Sequence, residues 1–292
     1  MKKTSLILFL GMLLIVGCSS QKSIDAYGNF EATETIVSSE ANGQLMEFNL
    51  TEGQQLDQGQ QVAVIDTTIP ALQKREMLAR RQSVVSKMAS ANAQVAVVKQ
   101  QLENLQVDLK RVQNMVQDEA ATQKQLDDLT GTKKILKKQL EAAQAQQNAI
   151  ASELEAIDAN LALVNEQLDR CRVINPLEGT VLEKYGEAYE MTAMGKPLYK
   201  IGNLNELTLR VYVSGGQMNV LKIGEECTVR IDDGKNYQEY PGTVTWISDT
   251  AEFTPKIIQT KEERVNLVYA VKVKVKNEEG AIKIGMPGEV IF

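Results

Sequence analysis

The sequence has no histidine in 292 residues. That removes Ser–His and Cys–His nucleophile pairs, histidine general bases and ordinary histidine-ligated metal sites. Aromatic residues make up 5%, with one Trp, too few for one large globular core. A net charge of -6 offers no electrostatic footprint for nucleic acid. No cofactor and no enzyme chemistry are expected. Cysteine is also scarce. Cys171 and Cys227 match no metal-ligand spacing, fall in different expected domains and are expected as unpaired buried thiols. Proline is missing from 71 to 169, where Gly131 is the single glycine, as uninterrupted helices require.

What fills that stretch is periodic. From Val84 the apolar positions run Met88, Ala91, Val95, Val98, Leu102, Leu105, Leu109, Val112, Val116. Steps of four and three alternate without a break, which is the a/d seam of a coiled coil. A second run goes from Leu126 through Leu129, Leu136, Leu140, Ala143 and Ile150 to Leu154, Ile157, Leu161, Val164 and Leu168. Lys133 and Gln147 occupy two of its seam positions. Between the runs, Gln117 to Thr122 is too short for anything but a turn. Each arm of about 48 residues is roughly 72 Å long as helix. The spacing predicts an antiparallel hairpin over 69–171, with position 116 facing 126 and 84 facing 157. Lys133, Lys134, Lys137 and Lys138 read as a solvated face.

Residues 1–18 read as an export signal. Lys2 and Lys3 form a basic start, and Leu6 to Val16 is apolar but too short for a permanent span. The stretch ends Ile15-Val16-Gly17-Cys18, which resembles a bacterial lipobox. Cys18 is then acylated and becomes the mature N-terminus, and the lipid tethers the protein to a membrane. Residues 19–34 read as a polar tether.

Strand patterns occupy 35–68 and return over 172–204. The two phrases share the outline Gly-x-(Leu/Val), Gly, Gly-x-x-(Val/Leu)-x-x-Ile, an internal repeat of about 30 residues. Neither half has the apolar surface to fold alone, and the hairpin between them returns the chain to its starting point. One small β domain, split by the hairpin, is expected. Over 205–292 alternation is continuous, with strands at 207–213, 227–231, 240–247, 268–275 and 288–292. Gly-rich turns such as Asp232-Asp233-Gly234 separate them, and a small β-barrel is expected. A short helix is expected at Met218 to Ile223. The fold class is therefore α+β, elongated and multidomain.

These parts in this order resemble the HlyD-like membrane fusion protein family, the periplasmic adaptors of tripartite exporters. The carriers are the lipobox, the split repeat (Glu52 to Gln60 and Pro176 to Val181), the hairpin, and Ala251 to Lys256 running into Glu263-Arg264-Val265. The resemblance implies that the split unit is a lipoyl-like domain and the last one the family's β-barrel. It implies a homo-oligomer, commonly a hexamer, forming a conduit from an inner-membrane transporter to a TolC-like outer-membrane channel for efflux or secretion. Family hairpins dock that channel through an Arg, a Leu four residues on and a Ser seven beyond. Arg111, Met115 and Thr122 stand at that spacing, with Met for Leu and Thr for Ser. The bland reading of the same residues is a solvated Arg, a tolerated Met and a helix N-cap Thr. Ending at Phe292 directly after the barrel strands favours an ABC partner over an RND one. Ser19 after the acylated Cys18 favours outer-membrane sorting under enterobacterial rules. Adaptors usually stay on the inner membrane, and the periplasmic face of that membrane in a Gram-negative cell is expected here.

Two other classes compete. A lipoyl or biotin carrier needs Asp-Lys-Ala or Met-Lys-Met at a β-turn, and neither tripeptide occurs. Lys196 in Met194-Gly195-Lys196 is the nearest approach and corresponds to the Gln60 region of the first half. A lipid-anchored coiled-coil scaffold without transport is compatible with the periodicity but leaves the split unit and the barrel without a purpose.

Overall fold

The computed structural model describes residues 26–219, 221–232, 234, 237–253 and 267–292. Cys18 with its leader, and the stretch from Thr254 to Val265, lie outside the described residues.

The hairpin consists of α1 (Thr68–Gln117) and α2 (Gln123–Arg170). Every buried residue of α1, from Val84 to Leu109, lies on the expected seam, as do Ile150, Ile157, Leu161 and Val164 of α2. Val84, Ala91, Ile150 and Ile157 share one apolar cluster, so 84 faces 157 as the spacing requires. Polar cross-links in and beside the seam follow the same register. Arg81 grips Asp158 at 2.6 Å, and Gln147 Nε2 donates to Asn92 Oδ1 at 2.7 Å. Toward the tip the seam of α2 is only half-buried, Lys133 and Gln147 included.

The split unit takes β2 (Glu34–Ser38), β3 (Gly43–Phe48), β4 (Gln55–Leu56) and β5 (Gln61–Ile65) from before the hairpin. From after it come β6 (Arg172–Ile174), β7 (Gly179–Lys184), β8 (Met191–Thr192) and β9 (Pro197–Gly202). The sheet orders are β2-β9-β7-β4 and β6-β5-β3-β8. Each sheet thus draws half its strands from either side of the hairpin. The pairing is reciprocal, since β3 holds β8 while β7 holds β4. Leu45, Leu56 and Ile65 of the first half pack with Val181, Tyr199 and Ile201 of the second. Two buried polar residues mirror one another across this exchange. Asn175 exchanges backbone bonds with Gly59 and Gln60, as Ser39 does with Gly195 and Lys196. Asn175 Nδ2 donates to Asp57 O at 2.8 Å and Leu177 O at 2.7 Å. Its Oδ1 accepts from the buried Tyr199 hydroxyl at 3.0 Å. Lys196, at the position equivalent to Gln60, donates its amine to Met191 O.

The barrel contains β10 (Glu206–Ser214), β11 (Glu226–Asp232), β12 (Tyr237–Ile247), β14 (Leu267–Lys276) and β15 (Pro287–Ile291), with β13 (Glu252–Phe253) added on β14. It closes only with a sixth strand, β1 (Ala26–Glu31), between β10 and β15. The order β10-β1-β15-β11-β12-β14 returns to β10. The stretch 26–31, expected as the end of a polar tether, is therefore a barrel strand. Its inward residues are Ala26, Gly28 and Phe30, and only Phe30 is large enough to signal alternation. Gly28 is needed by close approach, because a Cβ there would fall 1.7 Å from Arg210 O. The helix expected at 218–223 is a 3₁₀ turn at Gln217–Asn219. Cys171 and Cys227 are buried and free, as expected. Burial raises the pKa of both thiols, that of Cys227 to about 11.

Asn175→Ala leaves a buried hydroxyl and two carbonyls without their partner, and is expected to cost about 3 kcal/mol. Tyr199→Phe, which removes one bond, is expected to cost about 1 kcal/mol. Urea midpoints followed by the β-sheet signal check both.

Candidate docking site at the hairpin tip

The tip is built by two caps. α1 ends in a left-handed turn, where Ala120 N donates to Met115 O at 2.7 Å and Glu119 N to Val116 O at 3.2 Å. This is the Schellman pattern, with Glu119 at φ 57 in a position that usually takes glycine. A non-glycine residue there costs about 1 kcal/mol. α2 starts at a capping box. Thr122 Oγ1 accepts from Gln125 N at 3.4 Å, and Thr122 N donates to Gln125 Oε1 at 2.9 Å. The Thr-x-x-Gln spacing carries that signal in the sequence, and the structure adds Gln125 as the partner of Thr122.

Arg111 and Met115 stand one helical turn apart on α1, so both face the same way near the tip. Met115 is 39% exposed, outward as its place beside the seam predicts. Arg111 Nη1 lies 3.1 Å from Asp108 Oδ1 in solvent. Such a pair is worth a fraction of a kcal/mol, so the guanidinium can exchange it for another partner. Thr122 is different, because its hydroxyl is occupied by the cap and also donates to Gln125 Oε1 at 3.2 Å. The tip therefore offers a cation and a thioether side by side, with Thr122 holding the turn that presents them.

One charged cluster in the split unit is structural. Lys200 is held between Glu34 and Glu183 at 3.3 Å each, which raises its pKa and ties β2 and β7 to β9. Among the described residues no cluster of three metal-ligating side chains forms. No described helix is long and apolar enough to cross a membrane.

Thr122→Ala is expected to lower hairpin stability by about 1 kcal/mol, whereas Thr122→Ser keeps the capping oxygen and leaves the helical melting curve unchanged. Circular dichroism at 222 nm reads both.

No family model matches the chain. It is 26% identical to the UPF0194 membrane protein in the asrC 5′ region of Acidithiobacillus ferridurans, over 91% of this chain and 86% of that one. It is 24% identical to a UPF0194 membrane protein of Yersinia pseudotuberculosis, over 92% and 89%. Among solved structures, MacA from Actinobacillus actinomycetemcomitans matches with a TM-score of 0.60 at 18% identity, over 91% of this chain and 76% of that one. The membrane fusion protein Spr0693 from Streptococcus pneumoniae R6 matches at 0.50 and 18% identity, over 92% and 97%. A closed barrel that carries a strand-exchanged β unit, which in turn carries a long hairpin, gives this chain the fold of the HlyD-like membrane fusion proteins.

Proposed function

We propose that the chain is a periplasmic adaptor, without chemistry of its own, that joins an inner-membrane transporter to a TolC-like outer-membrane channel for efflux or secretion. The transporter is of the ABC class in this reading, and the assembled adaptor is a homo-oligomer, commonly a hexamer in the resembled family. The observation that carries the reading is the tip. A hairpin of 50- and 48-residue helices ends in an exposed Arg111 and Met115 held by two caps, which suits docking at a distance. The fold shared with MacA and Spr0693 supports the same assignment. Lipid on Cys18 would hold the barrel end at the periplasmic face of the inner membrane.

Gln117→Cys with a cysteine-specific crosslinker in intact cells is expected to capture an outer-membrane channel, and Arg111→Asp is expected to abolish that capture. Capture of nothing by a folded protein would favour a lipid-anchored coiled-coil scaffold instead. Cys18→Ser is expected to release the chain from the membrane fraction into the soluble periplasmic fraction. Continued sedimentation with membranes would overturn the lipid anchor.

A further inference from the structure

The two halves of the split unit act as internal controls for one another. Their sequences match at one constant offset, with Gly43 answering to Gly179, Gly53 to Tyr189, Leu56 to Thr192 and Gly59 to Gly195. Their backbones match as well. Gly53 N donates to Val181 O and Val181 N to Gln54 O, while Tyr189 N donates to Leu45 O and Leu45 N to Glu190 O. Gln55 pairs with Thr180 just as Met191 pairs with Gln44. The same fold is thus written twice with different side chains, so a side chain that the fold does not require can be recognised.

Such side chains gather on one loop. Where the first half has Gly53, Gln55 and Gln58, the second has Tyr189, Met191 and Met194, which are 70%, 67% and 64% exposed. Tyr189 has φ 73, close to the 82 of Gly53, a conformation that strains a bulky side chain. No burial offsets that strain. Met46 is 43% exposed and lies on β3 two residues from Gln44, on the side that Met191 shares. Gln44 Nε2 donates to Tyr189 O at 2.8 Å, and Met194 N donates to Asn42 Oδ1 at 2.8 Å. The loop is therefore fastened to β3, and the four side chains form one patch.

The charges differ in the same place. Glu190 stands where the first half has Gln54. Glu47 answers to Glu183, which is paired with Lys200 at 3.3 Å, but the first half has Val64 where Lys200 stands. Glu47 and Glu190 are exposed and enter no ion pair among the described residues. Lys196 has its amine on the Met191 carbonyl and Lys184 is tied to Glu187, which leaves carboxylate in excess. Soft apolar groups beside unpaired carboxylates complement an organic cation. Thioethers adapt to varied shapes, a Tyr face attracts a cation, and the carboxylates answer its charge. The four side chains present roughly 500 Å², below the roughly 800 Å² that each partner gives to a stable protein interface.

We propose that Tyr189, Met191, Met194 and Met46, with Glu47 and Glu190, form a binding site for an amphipathic organic cation. The site itself stands on the geometry of the split unit. That its ligand is exported cargo rests on the adaptor reading of the proposed function.

The test uses the purified full chain in one detergent, with rhodamine 6G, a lipophilic cationic dye, as the probe and fluorescence anisotropy as the readout. The comparison variant carries Tyr189→Gly, Met191→Gln and Met194→Gln. It copies the first half and so keeps the fold, which circular dichroism and a urea midpoint no lower than the parent's verify. The parent is expected to bind the dye saturably, and the triple variant at least about tenfold more weakly. Glu47→Gln with Glu190→Gln is expected to weaken binding about threefold at low salt and not at about 1 M salt. Equal binding by the parent and the folded triple variant overturns the site. Equal binding of the anionic dye 8-anilinonaphthalene-1-sulfonate, with no effect of the two Glu→Gln changes, overturns the ligand class and with it the proposal. A triple variant that sediments as a smaller species than the parent, with no dye bound by either, means that a second copy covers the patch, which also overturns it. Failure of the tip to capture a channel, with dye binding and its loss as expected, removes the adaptor reading and leaves the site standing.

Discussion

Neither half of the split β unit can satisfy its own backbone until the chain has gone out along α1 and come back along α2. β3 waits for β8 and β4 waits for β7, and a hundred residues of helix separate the partners. Loop-closure entropy makes such distant pairing slow and costly, so the hairpin cannot be a passive insertion. Its seam closes step by step away from the turn between α1 and α2 and returns Cys171 to Ile65, whose amide donates to the Cys171 carbonyl at 2.7 Å. The seam thus converts a long-range pairing into a short-range one. The barrel repeats the arrangement one level out, since β1 waits for β10 and β15 across everything between.

The same nesting explains where burial is strong and where it is weak. The cores of the barrel and the split unit contain residues with almost no exposure, such as Leu209, Val273, Tyr199 and Ile201. The hairpin has only a narrow seam, and its tipward half on α2 is merely half-buried. Buried polar residues sit where the halves join. Asn175 ties the second half of the split unit to Asp57 in the first, and Asn277 binds Leu204 O and Ile282 O inside the barrel. Breaking such a buried residue costs more than an exposed pair contributes, so the joints are firm while the helices remain comparatively open along their outer faces.

The hairpin was legible because its signal is local and long. Alternating steps of four and three over ten positions admit no other reading, and the turn follows from it, whereas a cap at Thr122 was only the bland alternative to docking. The repeat around the hairpin was legible through Gly53, Gly59 and Gly195, which the turns require at positive φ. Strand exchange between its halves was not, because two sheets built from one half each would show the same local pattern. β1 was hidden for a different reason. Ala26 and Gly28 bury little, and their smallness is dictated by the neighbouring strands, information that sits at Arg210 and Gly288 instead of nearby. At the tip, the spacing of Arg111, Met115 and Thr122 was visible, but only the geometry separates two presented side chains from one occupied in a cap.

β1 also decides how the two ends of the molecule relate. The proposed anchor at Cys18 precedes Ala26 by eight residues. Fully extended, these reach no more than about 29 Å. The strand they lead into is not an edge but is hydrogen-bonded on both sides, so load on the anchor passes in shear to β10 and β15. β10 continues from β9 through 203–205 into the split unit, and the split unit carries the hairpin. Were Cys18 acylated as proposed, the barrel would be held close to the bilayer. A free tether of 16 residues would have doubled that slack. Pairing the last part of the tether into the barrel is therefore what would give the proposed lipid anchor control over where the hairpin stands.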